Sequence, residues 1–134
     1  MTLKIEHIGI AVKDLEKSNL LFKSLLGTNP YKSEEVLEEG VLVSFFKTGE
    51  AKIELLQALN ENSHIARFIG KKGEGIHHLA FEVDDIIASM AQMKKLGFEL
   101  LSEEPKQGAD NKLICFLHPK TTNGILIELC QERK

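Results

Sequence analysis

Apolar and polar residues alternate from Leu3 to Val12, with Ile8, Ile10 and Val12 on one face and His7, Gly9 and Ala11 on the other. That period of two predicts a β-strand whose histidine shares its face with small residues. Asp14 follows as an N-cap, and Leu15, Leu20, Leu21, Phe22, Leu25 and Leu26 recur at helical spacing until Gly27. They predict a helix over 15–26 with an apolar stripe and a C′ glycine. The runs 32–37, 41–47 and 52–59 read as three strands, separated by the turn signals Glu39-Gly40 and Thr48-Gly49-Glu50. A linker over 60–75 carries a short helix from Ser63, as N-cap, to Ile69. The same order then returns: a strand over 76–83, a helix over 85–96 stopped by Gly97, and strands over 98–102, 112–117 and 124–130.

The repetition extends to the residues. Ile5-Glu6-His7-Ile8-Gly9-Ile10-Ala11-Val12 is echoed by Ile76-His77-His78-Leu79-Ala80-Phe81-Glu82-Val83, and Lys52-Ile53-Glu54-Leu55-Leu56-Gln57 by Leu126-Ile127-Glu128-Leu129-Cys130-Gln131. Two β-α-β-β-β units, about 3–59 and 76–131, are therefore expected within one domain. Their α+β fold places a shared, partly closed sheet around a central cavity, with the helices on its outer faces. At 134 residues the chain suits one core rather than two independent ones.

Bulk properties narrow the partners. The formal net charge is −3 and no block of lysines forms a phosphate-tracking face, so no nucleic-acid partner is expected. No apolar run reaches membrane-spanning length and the strand pattern begins at Leu3, from which we expect no membrane partner, no signal peptide and a cytoplasmic location. Cys115 and Cys130 lie in apolar strand-like runs without metal-type spacing, as buried reduced thiols do.

Strand parity selects the residues that carry chemistry. His78 shares a face with Ile76, Ala80 and Glu82, whereas His77 falls on the apolar face of Leu79, Phe81 and Val83. Glu54 lies opposite Ile53 and Leu55, and Glu128 opposite Ile127 and Leu129. A single histidine or glutamate on a strand signifies little. Two of each at equivalent repeat positions, all with inward parity, are another matter, because a charge on an inward face is costly unless paired or metal-bound. His7, Glu54, His78 and Glu128 are thus the candidate ligands of a divalent metal ion. Imidazole with carboxylate suits Co2+, Ni2+, Mn2+, Fe2+ or Zn2+ alike, Co2+ is the ion we expect first, and the absence of cysteine ligands argues against a structural zinc site.

These features together resemble the vicinal oxygen chelate superfamily, which includes glyoxalase I, extradiol dioxygenases and small resistance proteins, and the fold they imply is glyoxalase-like. Within it the chain is similar to the methylmalonyl-CoA epimerase family. The similarity is carried by Glu54-Leu55-Leu56, the segment from Gly75 to Ile86 with its His77-His78 pair, Ser102-Glu103-Glu104-Pro105-Lys106, and Phe116-Leu117-His118-Pro119-Lys120 leading to Gly124-Ile125-Leu126-Ile127-Glu128-Leu129. The resemblance implies an isomerase that interconverts (2R)- and (2S)-methylmalonyl-CoA by removing and returning the proton alpha to the thioester through a metal-stabilised enolate. It matches His7, His78 and Glu128 to three metal ligands and Glu54 to the fourth position. For such a reaction a nearby carboxylate suffices as base; Glu128 is our first candidate and Glu54 the second, since a weakly held glutamate can swing between metal and substrate. Lys106 and Lys120 stand in the matching segments as substrate-binding candidates for an acyl-CoA, and a homodimer is the implied assembly. Some members place a further acid/base glutamate where this chain has Val43, and Ser63-His64 stands where Ser-Pro is common. A glyoxalase I acting on a glutathione hemithioacetal and a non-catalytic small-molecule binder of the same fold remain the alternatives.

Overall fold

The computed structural model describes residues 2–133, which form two compact units, His7–His77 and, together, 2–6 and 78–133. The elements are β1 (Thr2–Ala11), α1 (Leu15–Leu26), β2 (Lys32–Val36), β3 (Val41–Thr48), β4 (Ala51–Ala58), α2 (His64–Lys72), β5 (Gly75–Val83), α3 (Ile86–Lys95), β6 (Lys106–Gln107), β7 (Lys112–Leu117) and β8 (Ile127–Glu132), with a 3-10 turn at Pro119–Thr121.

In the first unit the strands run β2-β3-β4-β1, antiparallel at the first two pairings and parallel between β4 and β1. A parallel return to the opening strand needs a crossover, and α1 supplies it. Asp14 caps α1 by accepting from the Lys17 N–H. At the other end Gly27 takes φ 72° and donates its N–H to the Lys23 carbonyl, so the helix ends where the glycine allows a left-handed residue. Val12, Leu15, Phe46 and Leu55 form the core under this helix, joined by Phe22, Leu26 and Ile53. The expected apolar stripe is narrower than the run of leucines implied, because Leu20, Leu21 and Leu25 are exposed. Apolar residues cover more of the circumference of α1 than the sheet can bury, and its apolar contacts with the core run through Leu15, Phe22 and Leu26. The linker helix starts at its Ser63 cap as expected but continues to Lys72, with Gly73 at its C-terminal end.

In the second unit the order is β5-β8-β7-β6, again with a parallel pairing between the opening strand and the last, and antiparallel neighbours beyond it. Asp85 caps α3 through the Ala88 N–H. Ile86 and Met90 of α3 pack on Val83, Cys115 and Leu129 of the strands, while Ala80, Ile114 and Cys130 pack on the opposite face of the same strands. Two strand expectations need correction. Residues 98–102 form no strand. They make a single bridge, Leu100 to Leu117, before an acidic pair and Pro105, which lacks the N–H a ladder needs. The outer neighbour of β7 is instead the two-residue β6. The strand expected over 124–130 begins only at Ile127, because Asn123 and Gly124 occupy left-handed turn positions, φ 57° and 82°. No helix among the described residues is long and apolar enough to cross a membrane.

Candidate metal centre

Each unit builds one histidine–glutamate pair, by the same construction. In the first, β1 and β4 run parallel with Gly9 opposite Glu54, so His7, two residues earlier, lies on the same sheet face as the carboxylate. His7 Nδ1 is 3.1 Å from Glu54 Oε2. Both residues are buried, along with Val43 and Phe45 of the neighbouring β3; Phe45 stands directly opposite Glu54 in the ladder. The carboxylate therefore sits against an apolar wall, and Val43 supplies part of it.

In the second unit Ala80 is opposite Glu128, and His78 again precedes that partner by two residues. His78 Nε2 lies 3.3 Å from Glu128 Oε1, with both side chains 6% exposed. The ring of Phe116, whose backbone faces Glu128 in the β7–β8 ladder, meets His78 edge-on with centroids 6.0 Å apart. Lys106 Nζ lies 5.9 Å from the Phe116 centroid, a cation–π contact that brings this lysine within one ring of the histidine. Lys120 is elsewhere engaged, 2.8 Å from Glu99 at the surface, and holds the Glu99 carboxyl below its ordinary range through that hydrogen bond.

Buried imidazole nitrogens and carboxylate oxygens at near-hydrogen-bond distance are the donor chemistry a first-row divalent ion accepts. His7, Glu54 and His78 each offer one buried ligand atom. A buried carboxylate also requires a compensating partner, which an imidazolium or a cation supplies.

His77 has the parity opposite to His78 and faces α2. Its ring packs against Phe68 of α2, edge-on at 4.9 Å, and against His64 at 5.5 Å. Burial, reinforced by His64, lowers its pKa from 6.5 to about 4. The two cysteines are buried thiols without a disulfide, and Cys130 Sγ donates to the Phe81 carbonyl at 3.5 Å. Burial foremost, then the Glu128 charge, pushes the Cys115 thiol up to about 11.

Two features went unread in the sequence. Glu6 and Lys112 are both buried, with Lys112 Nζ 3.9 Å from Glu6 Oε2; a single charged residue in each of two distant strands carries no local sign of partnership. Gln57 and Gln131 are the second. Their side-chain oxygens accept from the Leu15 N–H at 2.6 Å and the Ile86 N–H at 2.7 Å. The available signal was their recurrence at the close of both copies of the second echo.

Comparison with known proteins bears on this arrangement directly. Residues 6–116 match the Glyoxalase/Bleomycin resistance protein/Dioxygenase superfamily. The human mitochondrial methylmalonyl-CoA epimerase is 43% identical over 129 residues, covering 96% of this chain and 73% of the human one. The chain belongs to the methylmalonyl-CoA epimerase family. A Cereibacter sphaeroides relative named ethylmalonyl-CoA/methylmalonyl-CoA epimerase is 42% identical over 96% of this chain and 97% of its own. A solved methylmalonyl-CoA epimerase, in complex with methylmalonyl-CoA and NH4+, superposes with a TM-score of 0.95 at 33% identity, covering 98% of this chain and 96% of that one. The glyoxalase-like α+β fold inferred from the repeat is the fold of this family.

Proposed function

We propose that this chain is a metal-dependent methylmalonyl-CoA epimerase in which the His7–Glu54 and His78–Glu128 pairs serve one divalent ion within a single domain. The reading rests foremost on one observation: in both units a histidine stands two residues before the strand partner of a buried glutamate, in a chain of this family. Such an ion supplies Lewis acidity, lowering the free energy of negative charge on the thioester oxygen. The residues do the rest. His7 and His78 fix the donor geometry from rigid strands. Glu128 is our first candidate for the group that takes the proton alpha to the thioester, and Glu54 the second. With apolar Val43 beside it, Glu54 is, among the described residues, the buried carboxylate of the first unit and so the one placed to hold a proton away from water. Phe45, Val43 and Phe116 line the pairs with apolar surface, which strengthens each charge interaction by excluding water. Lys106 reaches for the substrate carboxylate or a CoA phosphate, and Lys120 is assigned the same role at the surface.

Cobalt is the ion we favour, and a cytoplasmic homodimer is the form we expect; sedimentation of the purified protein tests the assembly. The deciding experiment follows deuterium from solvent into methylmalonyl-CoA with metal-depleted and cobalt-restored protein. Incorporation that returns with cobalt supports the reading. No incorporation with either preparation, alongside turnover of methylglyoxal with glutathione, replaces it with a glyoxalase I.

A further inference from the structure

We infer that Gln57 and Gln131 are a matched pair of positioning residues that set each glutamate against its histidine by tying the strand that bears the glutamate to the helix that follows the histidine. The first N–H of an α-helix has no partner within the helix. In both units it is taken by a glutamine oxygen from the far strand of the parallel pair: Leu15 by Gln57, and Ile86 by Gln131. The geometry repeats residue for residue. Leu15 follows His7 by the interval at which Ile86 follows His78, and Gln57 follows Glu54 as Gln131 follows Glu128. Each glutamine also has the parity opposite to its glutamate, so one strand sends the carboxylate to one face and the brace to the other. Asp14 and Asp85 already cap these helices at Lys17 and Ala88. The glutamines are thus additional to the cap, and each adds a hydrogen bond to the apolar packing of the helix start, Leu15 on Leu55 and Ile86 on Leu129, against the ligand strand. Between the histidine and the brace run only the rest of the opening strand and a short turn. A shift of β4 or β8 along its parallel neighbour would break this bond before the ladder could re-form in another register.

The inference deepens the shared-ion reading and rests on it for the identity of the ligands. The probe is cobalt chloride, titrated into wild type, Q57M, Q131M and the conservative Q57E and Q131E, with the imidazole signals of the metal-free proteins followed by NMR. Methionine keeps the length but accepts poorly; glutamate keeps an acceptor aimed at a helix N-terminus, where its charge is favoured. The expected result is cobalt affinity about tenfold weaker in each methionine variant, the lower end for residues that orient metal ligands indirectly. Q57M should displace the His7 signals and leave those of His78, with Q131M doing the reverse, and the glutamate variants should restore wild-type behaviour. Methionine variants that lose thermal stability while keeping wild-type cobalt affinity and imidazole signals would reduce the glutamines to ordinary helix braces. Wild-type protein that takes up no cobalt would remove the shared ion instead, and the imidazole signals alone would then decide the positioning role.

Discussion

Glu54 and Glu128 are chemically alike, yet their neighbours differ: Val43 and Phe45 enclose the first, whereas Phe116 and, through it, Lys106 flank the second. Replacing Glu54 by glutamine keeps its oxygen donor and removes its ability to carry a proton. Exchange of the substrate proton with solvent should then fall by about a hundredfold while cobalt stays bound; unchanged exchange takes Glu54 out of the proton path. His77 yields a prediction about stability. Its pKa is 6.5 when unfolded and about 4 in the fold, so between those values the unfolded chain binds more protons and stability rises with pH. Acidification from about 6.5 towards 4 should therefore cost on the order of 2 kcal/mol, read as a falling urea midpoint. His77→Phe should flatten that limb. Cys115, with its thiol pushed up to about 11, should resist iodoacetamide at neutral pH in native protein and react in urea.

At the scale of elements, Gly40 turns the chain between β2 and β3 with φ 67°, and a Cβ there would lie 3.0 Å from the Cβ of Ser63, the cap of α2. Gly40→Ala combines a left-handed alanine with that contact and should destabilise by about 1–2 kcal/mol in chemical denaturation. Sequence periodicity revealed such elements where a local rule was decisive. Gly27 ends α1, Asp14, Ser63 and Asp85 begin helices, and alternation separated His78 from its neighbour His77. It failed where tertiary pairing decides. Residues 98–102 have strand-like composition but obtain only a bridge to Leu117, and α1 has more leucines than its sheet has room for. The ligand candidates were legible because the repeat displayed them twice. The Glu6–Lys112 pair occurs once, between distant strands, and left no such trace.

For the whole molecule, the proposed ion makes the two units answerable to each other although each folds around its own core. His7 and His78 come from different units, so His7→Ala and His78→Ala should each abolish most cobalt uptake, measured as one ion per chain in wild type. Retention of half the uptake in either variant would mean that each pair binds alone, and the shared ion would be lost.

The register that sets Gly9 against Glu54 and Ala80 against Glu128 has an evolutionary corollary. Within β1, β4, β5 and β8, homologues can exchange one side chain for another, whereas a one-residue insertion or deletion would turn a carboxylate to the wrong side. Length variation should consequently gather in the turns and in the stretch between β4 and β5, and a library of random single-codon deletions scored for activity should leave those four strands blank.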